Sequence, residues 1–88
     1  MQINRHKQFI KDFKKVSITD GQFNKFVQFI HCLKEDKPLP EEPKDHALLG
    51  QFLGFREFHL GGDVLVIYLT INNEIVLMRL GSHAQLFQ

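Results

Sequence analysis

Three prolines within six positions, in the stretch K-P-L-P-E-E-P from Lys37 to Pro43, divide the chain into two halves that no regular element can bridge. Proline fixes its own φ, removes a backbone donor and holds the residue before it in extended conformations. The apolar spacing differs on the two sides of this break. Ahead of it apolar residues recur at helical intervals, and behind it they run as strands.

In the first half, Phe9, Ile10, Phe13 and Val16 share one side, with lysines opposite. This predicts an amphipathic helix from about Arg5 to Val16. T-D-G-Q follows, in which Thr19 or Asp20 can cap a helix and Gln22 stands three residues after Thr19, as in a capping box. Phe23, Phe26, Val27, Ile30 and Leu33 then give the apolar face of a second helix, ending near Asp36. The short connection implies an antiparallel helical hairpin.

In the second half, F-L-G-F-R-E-F-H-L, V-L-V-I-Y-L-T and E-I-V-L-M-R-L read as three strands rich in aromatic and β-branched residues. Gly61-Gly62 and Asn72-Asn73 are turn signals, so the three form an antiparallel meander. The expected fold is α+β: an N-terminal helical hairpin packed on one face of a small antiparallel sheet, with a short C-terminal turn or helix. The continuously apolar middle strand belongs at the centre, buried on both sides. The second sheet face must then be covered at least in part. Eighty-eight residues are read as one domain, residues 1–88, with nine phenylalanines supplying much of its buried area.

A net charge of +1 gives no global field to draw in nucleic acid. Its distribution is uneven. Arg5, Lys7, Lys11, Lys14 and Lys15 make the start basic, whereas Glu35, Asp36, Glu41, Glu42 and Asp45 make the middle acidic. Solvation accounts for such runs in the ordinary case. The single Cys32 has no partner for an internal disulfide, which suits a reducing cytoplasm. M-Q-I-N-R-H-K-Q is too polar for a signal peptide, and V-L-V-I-Y-L is far too short to cross a bilayer. The expectation is a soluble cytoplasmic protein with no membrane partner.

Period two places Phe55, Glu57 and His59 on one face of the first meander strand, and Ile75, Leu77 and Arg79 on one face of the last. With a three-residue loop of Leu60, Gly61 and Gly62, His59 and Asp63 stand directly opposite. A two-residue Gly-Gly loop would instead pair Leu60 with Asp63. The three-residue loop is preferred because it unites the two polar side chains. His83 follows Gly81, where the strand is expected to end, and His46 stands in K-D-H-A-L-L-G just after the prolines. Histidines from three segments can thus converge near Asp63, Glu57 and Arg79.

That composition suits RNA cleavage without a metal or other cofactor. The 2′-hydroxyl is the nucleophile, a base takes its proton, and an acid protonates the departing 5′-oxygen. Histidine fits both proton roles because it titrates near neutrality. Arginine's fork matches phosphate oxygens and its charge persists. Phe87 offers a ring for an unpaired base, worth roughly 1–3 kcal/mol. Each residue also has an ordinary use: His6 and His31 read as surface or capping residues, Asp63 as a turn residue, Phe87 as a core-edge seal, and Arg79 as a cross-sheet partner of Glu57.

K-D-H-A-L-L-G, F-R-E-F-H-L-G-G-D-V-L-V-I-Y and L-M-R-L-G-S-H-A-Q-L-F resemble, in order and spacing, the YafQ-like toxins of the RelE/ParE superfamily. The resemblance covers about half of the chain and implies the toxin of a type II toxin–antitoxin pair. Such a toxin is an endoribonuclease that cuts mRNA in the A site of the 70S ribosome and is neutralised by a cognate antitoxin. It further implies that His46, His59, Asp63 and His83 carry the proton chemistry and that Arg79 stabilises the phosphorane. Phe87 and Glu57 would then contact the substrate. Val64 stands where several relatives carry tryptophan, and Gly61-Gly62 replaces a stiffer loop. Two other classes compete: a ParE-like gyrase inhibitor, which needs no histidine cluster, and a zinc site, for which the spacings match no compact motif. A catalytically decayed, antitoxin-binding relative is the remaining alternative.

Overall fold

The computed structural model describes residues 1–40, 45–48 and 54–87. The end of the proline stretch with Glu41 and Glu42, Lys44, the L-G of K-D-H-A-L-L-G, and the expected strand start at Phe52 and Leu53 lie outside the described residues. In chain order the elements are β1 (Gln2–Arg5), α1 (Lys7–Lys15), α2 (Asp20–Lys34), β2 (His46–Ala47), β3 (Arg56–Gly61), β4 (Val64–Ile71), β5 (Glu74–Ser82) and α3 (His83–Leu86). The five strands form one sheet in the order β1-β5-β4-β3-β2, with β1 parallel to β5 and the other pairs antiparallel.

The meander is present, with β4 at the centre as its unbroken apolar run requires. Leu65, Val66, Ile67 and Tyr68 are all buried. Two flanking strands extend the expected three. β1 carries one apolar residue, Ile3, and β2 is two residues long, so neither has a run from which period two can be read.

α1 starts at Lys7 because Arg5 belongs to β1, and His6 caps it by accepting from the Gln8 N–H at 3.1 Å. α2 starts with the expected reciprocal box: Thr19 Oγ1 accepts from the Gln22 N–H at 3.0 Å, and Gln22 Oε1 accepts from the Thr19 N–H at 2.9 Å. Its core-facing stripe departs from expectation. Phe29 is 2% exposed, and Phe26, Ile30 and Leu33 pack beside it, whereas Phe23 and Val27 are about half exposed at 46% and 52%. The α2 axis is rotated so that Phe29 meets Phe58 edge-on at 5.7 Å, and Phe26 turns to Phe9 and Phe13 of α1.

The helices cover one sheet face, where Phe58, Leu60, Val66, Tyr68, Ile75, Leu77 and Leu80 meet Phe9 and Phe29. On the other face Leu65 and Ile67 pack with Leu48 and Leu86, edged by Phe55, Met78 and Phe87. A β-bulge in β5 links the two faces. Tyr68 pairs with Leu77 but Ile67 pairs with Arg79, so Met78 is an extra residue. Period two therefore fails there. Ile75, Leu77 and Leu80 remain on the helix side, and Arg79 does not share their face as the alternation implied.

Candidate active site

A single register row crosses the second face of the sheet: His46 of β2 opposite Glu57 of β3, Glu57 opposite Ile67 of β4, and Ile67 opposite Arg79 of β5. Directly paired residues share a face, so the bulge at Met78 is what brings Arg79 to the side of the histidines. Three strand spacings separate the ends of the row, about 14 Å between Cα atoms. Ile67 and Leu65, each 1% exposed, form an apolar floor between the two ends.

At one end His46 Nε2 lies 2.8 Å and His59 Nε2 3.8 Å from the same oxygen, Glu57 Oε1. The imidazoles stand nearly parallel, with centroids 6.3 Å apart. Both rings are partly open to solvent, whereas Glu57 is buried at 4%. A buried carboxylate is costly unless paired, and the histidines answer that cost on one oxygen. Oε2 is buried with no hydrogen-bond partner among the described residues. Glu57 thus faces its histidine neighbours rather than open solvent.

His46 is held in place through the residue before it. Asp45 Oδ1 accepts from the Tyr68 hydroxyl at 2.8 Å and from Arg56 Nε at 3.1 Å, which ties β2 to the sheet. Burial, and then the Asp45 carboxylate, push the Tyr68 phenol well up, so it stays a donor. Asp45 in turn raises Arg56. Sequence reasoning assigned no role to Asp45, Tyr68 or Arg56. The available signal was a tyrosine inside an otherwise aliphatic central strand, since a buried phenol requires a partner.

At the other end β5 runs on through Ser82, which caps α3 by a second reciprocal box with Gln85. Gly81 therefore lies within the strand and does not end it as expected. Its role is close approach. A Cβ there would stand 2.9 Å from Gln85 Oε1 and 3.3 Å from Leu86 Cδ2, so glycine lets α3 fold down onto β5. His83 opens α3 and is exposed, with its ring 4.7 Å from that of Phe87, which packs at the edge of the second-face core.

Arg79 is gripped from α1. Its Nε donates to Asp12 Oδ2 at 2.7 Å and its Nη2 to Oδ1 at 3.3 Å, and the Leu80 N–H donates to Oδ2 at 3.0 Å. The cross-sheet pairing of Arg79 with Glu57 is replaced by this contact, since Ile67 stands between them. Burial works to raise the Asp12 carboxyl, but the hydrogen bonds from Arg79, Leu80 and Gln8 outweigh it and hold it below its usual range.

Asp63, like Arg79, stands elsewhere than the sequence pattern put it. Gly61 pairs with Val64, so the turn is Gly62-Asp63, preceded by a bulge between His59 and Gly61. Leu65, not Asp63, stands opposite His59, and Asp63 is exposed at the hairpin tip. The physical reason is the glycine pair. Gly61 and Gly62 both take positive φ (105° and 59°), which curls the chain one residue later than a Leu60-Gly61-Gly62 loop would. Gln22 Nε2 of α2 donates to the Gly61 carbonyl at 2.9 Å and holds that geometry.

Three comparisons bear on this arrangement. The family described as the bacterial toxin of type II toxin–antitoxin system, YafQ, matches residues 1–88. The mRNA interferase toxin YafQ of Escherichia coli is 33% identical over 81 residues, covering 91% of this chain and 88% of the relative. Among solved structures, a copper-bound mutant toxin from Helicobacter pylori superposes with a TM-score of 0.86 at 39% identity, covering 98% of each chain. YafQ in the Escherichia coli DinJ-YafQ toxin-antitoxin complex superposes at 0.80 with 31% identity, covering 99% of this chain and 97% of that one.

Proposed function

Since the chain belongs to the YafQ family of bacterial type II toxins, we propose that it is an mRNA interferase that cleaves RNA by attack of the substrate's own 2′-hydroxyl. The observation that carries this reading is the register row with its buried carboxylate. Glu57 holds two histidines at one end of an apolar floor, and Arg79 with His83 and Phe87 of α3 stands at the other.

In the reaction the 2′-oxygen forms a bond to phosphorus as the bond to the 5′-oxygen breaks. The products are a 2′,3′-cyclic phosphate and a free 5′-hydroxyl. One proton leaves the 2′-hydroxyl and another reaches the 5′-oxygen, and well-placed acids and bases each contribute about 10²–10⁴-fold. Glu57 holds His46 and His59 by one carboxylate oxygen, which places their half-open rings to receive the first proton. His83, exposed at the start of α3, delivers the second. Arg79 answers the growing charge on the phosphorane, and Phe87 forms a wall against the base. Asp63 acts from the hairpin tip, by orienting a neighbouring group or the RNA.

Its partners would be mRNA in the A site of the 70S ribosome and a cognate antitoxin, as DinJ is for the Escherichia coli relative. No helix of the described residues is long and apolar enough to cross a membrane; a protein with those partners would act in the cytoplasm.

The test is induced expression in bacteria of the parent and His83→Ala, with mRNA ends mapped by primer extension. Growth arrest with new codon-phased ends, both lost in a folded His83→Ala, is the expected result. Arrest that persists in His83→Ala without new ends would replace this reading by a binding inhibitor of the gyrase-directed kind.

A further inference from the structure

We propose that Asp12 of α1 is a positioning residue that aims the Arg79 guanidinium at the scissile phosphate. The inference rests on the role given to Arg79 above and adds what makes that role possible. Asp12 is the one buried charged residue besides Glu57 among the described residues, at 7% exposure, and it comes from a helix otherwise occupied with core packing and solvated lysines. A buried aspartate facing a strand edge has to be explained by what it binds.

Four donors from three residues of β5 and α1 converge on it. Its Oδ2 accepts from Arg79 Nε and from the Leu80 N–H, while its Oδ1 accepts from Arg79 Nη2 and, at 3.2 Å, from Gln8 Nε2. The grip takes one edge of the guanidinium. Of the five N–H donors of arginine it uses two, and the other three point away from Asp12. Holding the Leu80 N–H at the same time fixes the backbone directly after the bulge, so both the root and the head of the Arg79 side chain are set by one carboxylate. Without that grip a long side chain at a bulge would sample many rotamers, and an arginine that must meet a phosphorane gains most when it is preorganised.

The surroundings fit this use. Asp12 and Arg79 line a polar cleft of about 200 Å³ whose far wall is Gln85 and Leu86 of α3. The helix that carries His83 thus borders the space beside Arg79. Lys15, one turn along α1, adds a second cation to the rim.

The experiment is single-turnover cleavage of a short mRNA on programmed ribosomes, with thermal melts, for the parent, Asp12→Asn, Arg79→Ala and the double variant. Loss of one donor to transition-state charge costs about 10²–10³-fold, so Arg79→Ala is expected in that range. Asp12→Asn, which keeps an arginine but releases its aim, is expected to slow cleavage about 10–100-fold with half-saturation changed by less than about threefold. The double variant should be no slower than Arg79→Ala, because both changes remove the same contribution.

A slow Arg79→Ala beside an Asp12→Asn that cleaves like the parent would overturn the positioning role and leave the enzyme reading intact. A further large loss in the double variant would overturn it too, by showing that Asp12 acts on the fold. If Arg79→Ala cleaves like the parent, the role of Arg79 fails and Asp12 falls with it; a parent that does not cleave removes the enzyme reading itself. Should Asp12→Asn not fold, Gln8→Ala loosens the same carboxylate more gently. It should slow the parent about 2–5-fold and leave Arg79→Ala unchanged, and a fall of equal size in both backgrounds would refute the proposal.

Discussion

His46 Nε2 and Glu57 Oε1 lie 2.8 Å apart across a directly paired rung of β2 and β3, and the same oxygen is within 3.8 Å of His59. A buried carboxylate within reach of two half-open imidazoles fixes their orientation. Glu57→Gln keeps the shape and removes the charge. Cleavage should fall about 10²-fold or more, while the melting temperature stays near that of the parent, because the change removes the desolvation cost of the buried charge along with its pairing and leaves the half-open histidines to water. Cleavage assays and melts on one preparation check both halves. A large fall in stability with activity per folded molecule unchanged would make Glu57 a structural residue.

Tyr68→Phe removes the donor that ties Asp45, and with it His46, to the central strand. The lost hydrogen bond and the carboxylate left less satisfied should cost about 1–3 kcal/mol. Activity should fall more than stability accounts for, since the segment that carries His46 loosens. Denaturant titration together with the cleavage rate separates the two effects. The phenol, pushed up by burial and by Asp45, goes on donating through mildly alkaline pH, so this contact adds no titration of its own there.

Gly81→Ala puts a methyl group where Gln85 Oε1 and Leu86 Cδ2 already stand. Both atoms are the ends of side chains and have to swing aside, which displaces the Gln85 Oε1 that accepts from the Ser82 N–H and so loosens the turn that carries His83 and Phe87. A loss of about 1–3 kcal/mol is expected from the forced shift, together with a cleavage defect approaching that of His83→Ala. Restored activity in a Gly81→Ala, Gln85→Ala pair would show that the side-chain clash is the cause.

Acid should weaken the α1–β5 join in a defined direction. The Asp12 carboxyl is held below its usual range in the folded protein, so its contribution is fully present above the unfolded value, about 3.9, and is lost as pH falls through the lower folded one. Melts of the parent and Asp12→Asn should therefore differ at pH 6 and converge as the pH is lowered through that window. A gap that stays constant with pH would contradict the assignment.

Much of this molecule could be read from local chemistry. The helical and stranded halves, the Thr19–Gln22 box, the meander, the central β4 and the Asn72-Asn73 turn depend on neighbouring residues alone, and they stand where the pattern put them. What the pattern missed involves distant partners. Ile3 in Gln2–Arg5 becomes a strand residue because β5, more than seventy positions away, offers an edge. The helical spacing reads Phe23 and Val27 into the apolar face of α2 and leaves Phe29 out of it, and the pitch of α2 on the sheet reverses that choice. The candidate residues on the two strands and α3 were legible, but the support of His46 and Arg79 was not. Asp45 and Asp12 resemble surface aspartates until Tyr68 and Arg79 fold against them. Asp63 was misplaced because two consecutive glycines allow several loop geometries, and Gln22 of α2 selects one of them.

The extra residue at Met78 divides β5 into two segments of opposite parity, with core positions at 75 and 77 before it and at 80 after it. Deleting Met78 would leave the pairings on either side in place, with Tyr68 opposite Leu77, Ile67 opposite Arg79 and Val66 opposite Leu80, so that Leu80 stays in the core and Arg79 stays on the histidine side. What such a deletion removes is the Met78 side chain at the edge of the second-face core and the local bend that the extra residue gives β5. A one-codon loss at this point would thus straighten the strand without turning any of its residues over, whereas the same loss on either side of it, with the bulge kept, would shift the pairing of the segment beyond.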